Sequence, residues 1–284
     1  MTVSPLTPRE GRALAQGPFD GVPDHLGAPL AHWLRGRLVA PPPLVNLFGP
    51  SGPTVRTGTL HRVTLAARIA LPGHADPMDE LNYILTWHRD QEEFLDFLHF
   101  SLQVIQVSPE DVRILDRILK YGGSTWRATE RGLERRVDPM AQEAFSSATA
   151  PEDATSAELE EAWRNAFGRD PNPSDAWDHA IKAVEAVLIP VVVPQQDKPQ
   201  LGHVLGALDR QGHLWRLGLP GADESHSVGP PVCLLRLLWP NPDRHGGDSE
   251  HSRPPTLDEA QAVVQLAVTI VQWARAGQIT RKAS

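Results

Sequence analysis

The sequence predicts a mainly α-helical protein, built as a Pro/Gly-rich N-terminal segment (1–56), a small α+β region (57–153) and a C-terminal helical bundle (154–284). Three observations predict it. Apolar residues recur at three- and four-residue spacing through most of the last two thirds of the chain, the period of a helix with one buried face. Helix-start chemistry stands directly before several of those runs, as at Pro109, Asp138-Pro139 and Thr256. Only one stretch, Ser124 to Val137, reads as a pair of strands.

The first segment carries Pro-Pro-Pro at 41–43 and Gly-Pro-Ser-Gly-Pro at 49–53. Such residues break helices and ladders alike. One short helix interrupts them near Leu30 to Leu38, where Leu30, Trp33, Leu34 and Leu38 share a face. The first twenty residues read as disordered.

The middle region opens with Thr59 to Ala70, which fits a strand or the start of a helix. Two amphipathic stretches follow. The first covers Asp79 to Leu85 and resumes from Gln91 to Val107. The second runs from Pro109 to Tyr121 with Val112, Leu115, Ile118 and Leu119 as its stripe. After Gly122-Gly123, two short strands flank a turn at Arg131-Gly132, and Asp138-Pro139 begins a helix to about Ala148.

The last region is nearly all helical. Ser174 caps a helix whose Trp177, Ile181, Val184 and Leu188 point inward, and 198–208 gives a shorter one. Pro231 to Trp239 fits a buried strand or helix; Leu dominates it and β-branched residues are few, which favours helix. Pro240 and Pro242 end it. Thr256-Leu-Asp-Glu259 is a capping box, in which Thr and Glu each take a backbone N–H of the other's residue. It opens a long helix to about Gly277 with Ala260, Val263, Val264, Ala267, Ile270, Val271 and Ala274 on one face.

Composition narrows the function classes. A net charge of −8 argues against broad nucleic-acid binding through a basic surface, though a local phosphate site remains compatible with it. The single Cys233 excludes an internal disulfide, and its apolar run places it in the core. No apolar stretch approaches a membrane span, the longest being Val187 to Val193 with Pro190 inside it. The start lacks an apolar signal core, so the expected location is cytoplasmic.

Between the last two helices lies Arg244-His-Gly-Gly-Asp-Ser-Glu-His251. Cleaving RNA needs a base for the ribose 2′-hydroxyl, an acid for the leaving oxygen, and positive charge for the phosphorane. Histidine titrates close enough to neutral pH for the proton transfers. Arginine stays charged and grips phosphate through two parallel hydrogen bonds. Arg244 is therefore the candidate phosphate ligand, His251 the candidate acid–base group, and His245 an auxiliary that orients one or the other. The same turn also fits an exposed helix–helix loop, with Arg244 facing the negative end of the preceding helix.

Glu185, on the Ser174 helix, is a candidate carboxylate to hold Arg244 in place, or a surface partner of Lys182 three residues before it. Arg127, Arg131, Arg135 and Arg136 either line an RNA groove or, with Glu130 and Glu134 between them, form a solvated hairpin face. His245, Asp248, Glu250 and His251 are too crowded in one loop for a metal site, so neither metal nor other cofactor is expected.

The helix from Ser174, the short helix over 198–208, the Leu-Leu-Arg-Leu-Leu-Trp run, the Arg-His-Gly-Gly turn and the final helix, in that order, resemble the C-terminal domain of abortive-infection-type proteins, a branch of the HEPN superfamily. The resemblance covers roughly the last 115 residues. The stretch 124–139 is similar to the segment that precedes such domains. The resemblance implies a four- or five-helix bundle and a metal-independent ribonuclease of phage defence or toxin–antitoxin systems. It also implies a site assembled across a homodimer, with an antitoxin or regulatory protein as a further partner. The family's signature is an Arg, four to six residues, then a His; Arg244 and His251 stand at the long end of that spacing. The alternative is a non-catalytic module that dimerises and binds RNA or a partner protein.

Overall fold

Helix-start chemistry decides most of the architecture. In the computed structural model, which describes residues 17–41, 52–73, 76–221, 225–239 and 253–282, every helix opened by Asp, Ser, Asn or Thr has that side chain bonded to its first turn. The chain is mainly helical and divides into two units, Met1–Arg136 and Val137–Ser284. Each has its own apolar core.

The first unit contains α1 (Asp24–Leu38), α2 (Thr57–Ala66), α3 (Pro77–Ile84), α4 (Gln91–Val104) and α5 (Pro109–Tyr121). Strands β1 (Val39–Ala40) and β2 (Thr54–Val55) form one antiparallel pair; β3 (Trp126–Thr129) and β4 (Gly132–Arg135) form another. Thr59 to Ala66 thus resolves as helix, with a turn after it. Helix α1 begins six residues before Leu30, and its Leu30, Leu34 and Leu38 are fully buried with Phe94, Phe97 and Leu115. The 1–56 segment is therefore not separate from the region after it. Nor do residues 17–20 stand apart: Phe19 N–H donates to the Gly123 carbonyl at 2.8 Å, and Thr125 N–H donates to the Phe19 carbonyl at 2.9 Å. Residues 1–16 lie outside the described residues.

Helix α5 has the bounds expected of it, with Ser108 and Asp111 forming a reciprocal capping box before Pro109. Of the expected stripe, Val112, Leu115 and Leu119 are buried and Ile118 is half-buried. Helix α4 stops at Val104 rather than Val107, because Ile105 turns to extended backbone.

The second unit contains α6 (Pro139–Ala148), α7 (Ala154–Phe167), α8 (Pro173–Val192), α9 (Leu201–Arg210), α10 (Gly229–Leu238) and α11 (Leu257–Arg275), with β5 (Trp215–Leu217) paired to β6 (Ile279–Arg281). Helices α7, α8 and α11 pack on one another as its centre. Its boundary falls at 136/137, not 153/154, because α6 belongs to this core. Ala148 is 1% exposed within it, Gln272 donates to the Ala144 carbonyl at 3.0 Å, and Arg275 donates to the Ala148 carbonyl at 2.6 Å.

One local expectation changes. The cap of α8 is Asn172, whose side chain accepts the Asp175 N–H, with Pro173 rather than Ser174 opening the helix. Pro190 does not end α8. Leu188 and Val192 continue its buried stripe across the proline, and that burial outweighs the hydrogen bond the ring removes. No helix among the described residues is long and apolar enough to cross a membrane.

Candidate functional site

Arg244, His245 and His251 lie outside the described residues. What the structure describes is the frame that holds both ends of their segment. Helix α10 forms because its apolar residues leave one continuous buried face, made by Pro231, Val232, Leu235 and Leu238. Cys233 falls on the opposite side and is exposed, with Arg236 and Leu237 beside it, which corrects the expectation of a core cysteine.

The end of α10 is fixed from two sides. A helix leaves its last carbonyls without intrahelical donors. Trp177 of α8 supplies one, its indole N–H donating to the Leu238 carbonyl at 2.8 Å in a buried position. Trp239 lies against α9 at Gly202, where a Cβ would come within 3.0 Å of the indole ring. Glycine is what lets that ring approach the helix backbone.

The start of α11 is fixed as firmly. Thr256 and Glu259 form the expected reciprocal capping box. Arg253 forks onto the Glu259 carboxylate, with Nη1 to Oε2 at 2.8 Å and Nη2 to Oε1 as the second contact. The Arg253 hydrogen bond, followed by the Thr256 N–H, holds the Glu259 carboxyl down to about 2. The same Glu259 hydrogen bond raises Arg253 above its ordinary value. One turn into α11, the Gln261 amide donates to the Ala166 carbonyl in the last turn of α7 at 3.0 Å.

These contacts set the location. Ala166 ends α7, Trp177 lies near the start of α8, Leu238 ends α10 and Gln261 lies near the start of α11. The chain therefore leaves at Trp239 and returns at Arg253 at the end of the unit where α7 turns into α8.

Glu185 caps a neighbouring helix, and its expected contact with Arg244 lies outside the described residues. Its Oε1 accepts the Leu201 N–H at 2.7 Å, so it caps α9 from a neighbouring helix. Lys182 pairs one turn back, with Asp178 at 2.8 Å. Glu185 still supports the frame indirectly, because the helix it caps carries Gly202 beneath Trp239.

The hairpin places Arg127, Arg131, Arg135 and Arg136 within the first unit, where Arg135 and Arg136 make ion pairs. Arg136 bonds the Asp116 carboxylate at 2.7 Å and its backbone carbonyl at 3.1 Å. Arg135 pairs with Asp20 at 3.0 Å and lies 5.0 Å over the Trp126 ring. Arg127 stands opposite Glu134 in the strand register. The Arg131 carbonyl accepts from Gln103 at 2.9 Å. Arg135 and Arg136 thus have carboxylate partners within the unit. Among the described residues, no cluster of His, Cys, Asp or Glu could hold a metal ion.

Sequence reasoning missed the Trp177–Leu238 and Gln261–Ala166 contacts, which join residues 61 and 95 apart. Local pattern carries no signal for either. No family model, curated protein or solved structure matches the chain.

Proposed function

We propose that the protein is a HEPN-type, metal-independent endoribonuclease acting in phage defence or a toxin-like response. Arg244 binds the scissile phosphate, His251 transfers the proton and His245 orients the pair. The active form is a homodimer, held in check by an antitoxin or regulatory protein in the cytoplasm. The observation that carries this reading is the frame: Arg244 and His251 belong to one segment whose two ends are fixed at the same end of a helical unit. A fixed frame favours the short catalytic distances that general acid–base chemistry needs.

The test is expression in a sensitive host. Wild type arrests growth, and Arg244→Ala and His251→Ala each relieve the arrest while pull-down of any bound partner is unchanged. Arrest that survives both substitutions counts against the assignment.

The second reading, a non-catalytic interaction module, is favoured by the outer face of α10, where Leu237 is 64% exposed beside Cys233. In that case wild type neither arrests growth nor cleaves RNA, and Leu237→Glu lowers self-association. Arg135 and Arg136 pair with Asp20 and Asp116 of the first unit in either reading.

A further inference from the structure

Helix α5 turns its apolar stripe to the first unit's core and a second, charged face to solvent. Glu110, Arg113, Arg117, Lys120 and Tyr121 recur on that face at three- and four-residue spacing, and all five are exposed. The helix has two more carboxylates, but both are taken on its flanks, Asp111 by Arg37 of α1 and Asp116 by Arg136 just after β4. The outer face is left with three cations and one carboxylate, a net charge of +2 in a chain whose total is −8. Glu110 is shared between Arg113 at 3.0 Å and Arg117 at 3.6 Å, and all three side chains are more than half exposed. Ion pairs so exposed hold weakly and exchange readily for another anion.

Two observations narrow the anion. The cations form a row, since Arg113 to Lys120 spans about 10 Å at the helical rise. That is the length of about three phosphates along one stacked strand. Tyr121 ends the row with 77% of its surface exposed. Gly122 and Gly123 follow it and add no side chain beside its ring, which leaves a flat face on which a base can stack. An acidic protein surface would use the cations and leave the ring idle, and the bases of a duplex are already stacked on one another.

We propose that this face binds single-stranded nucleic acid, with phosphates along Arg113, Arg117 and Lys120 and one base stacked on Tyr121. The face belongs to the first unit and is independent of Arg244 and His251, so it stands whether or not the protein cleaves RNA.

The test is a fluorescence-anisotropy titration of the full chain with a short DNA and a 2′-O-methyl RNA of the same sequence, neither of which can be cut through a 2′-hydroxyl. The tighter of the two identifies the natural strand. The expected Kd is about 1–100 µM, with a log Kd-against-log salt slope of about 2 in magnitude for three phosphates. The duplex form of either probe binds about fivefold more weakly or worse, for want of the stacked base. Tyr121→Ala weakens single-strand binding by a similar factor and leaves the salt slope unchanged. Arg113→Gln, Arg117→Gln and Lys120→Gln together bring the slope close to zero; glutamine forms helix about as well as the residues it replaces. Thermal melts that match wild type show each variant folded. No saturable binding, a slope the triple variant leaves intact, or full affinity in Tyr121→Ala would each overturn the proposal.

Discussion

Two buried tryptophans in the same core, Trp177 and Trp163, differ in one respect that can be weighed directly. The Trp177 indole N–H donates to the Leu238 carbonyl at 2.8 Å, whereas the Trp163 N–H has no acceptor. Trp177→Phe and Trp163→Phe remove the same atoms from comparable burial, 7% and 1% exposed. Each loses packing worth ~1–2 kcal/mol, reasoned from large-to-small core substitutions. Only Trp177→Phe also strands a buried carbonyl at a helix end, which costs about 1–3 kcal/mol. Trp163→Phe instead removes an orphan donor. The account therefore predicts that Trp177→Phe is the more destabilising by about 1–3 kcal/mol. Urea unfolding of the full chain, read by far-UV circular dichroism, gives the comparison, and a lower melting temperature by ~2–4 °C per kcal/mol should accompany it. Equal losses, or a larger loss for Trp163→Phe, would refute the claim that the indole bond fixes the end of α10.

Further predictions concern the other anchors. Glu259 sits at about 2 against its ordinary 4.5, so its contribution to stability is complete above pH 4.5 and is lost as the pH falls through about 2. Glu259→Gln should flatten that acid limb in a melting-temperature series between those limits, and an unchanged slope would sink the assignment. Thr256→Ala removes the hydroxyl that accepts the Glu259 N–H and should cost about 1 kcal/mol at neutral pH in the same melts. In the first unit, Gly27→Ala sets two effects against each other. Helix propensity favours alanine by ~1 kcal/mol, but a Cβ there would lie 2.0 Å from the Trp87 ring. Overpacking of that kind costs ~1–3 kcal/mol. Net destabilisation in chemical unfolding is expected, and a stabilised variant would show that Trp87 yields freely.

Where local chemistry governs, the sequence was legible. The mainly helical class, α5 from Pro109, the 126–135 hairpin and α11 behind Thr256 follow from capping, turn and periodicity signals read within a few residues. Gly27 and Pro29 hid the first turns of α1, because both weaken helix locally and tertiary burial of Leu26, Leu30 and Leu34 overrides them. The unit boundary was misplaced because α6 looks self-contained. Its membership is decided by Gln272 and Arg275, more than a hundred residues away. Glu185 illustrates the same limit at the candidate site. Its partner is a backbone N–H 16 residues on, brought close only by the packing of α9 on α8. Cys233 was misread because an apolar run does not say which side of its helix faces the core.

The central claim is that Arg244 and His251 cut RNA without a metal. It is tested most directly by incubating the purified full-length chain with single-stranded RNA in excess EDTA and examining the product ends. The account predicts cleavage leaving 2′,3′-cyclic phosphates. Arg244→Ala and His251→Ala should each lower the rate by on the order of 10²-fold or more, the usual loss for a phosphate clamp or an acid–base group. Cleavage that EDTA abolishes, or that Arg244→Ala leaves at full rate, would contradict it.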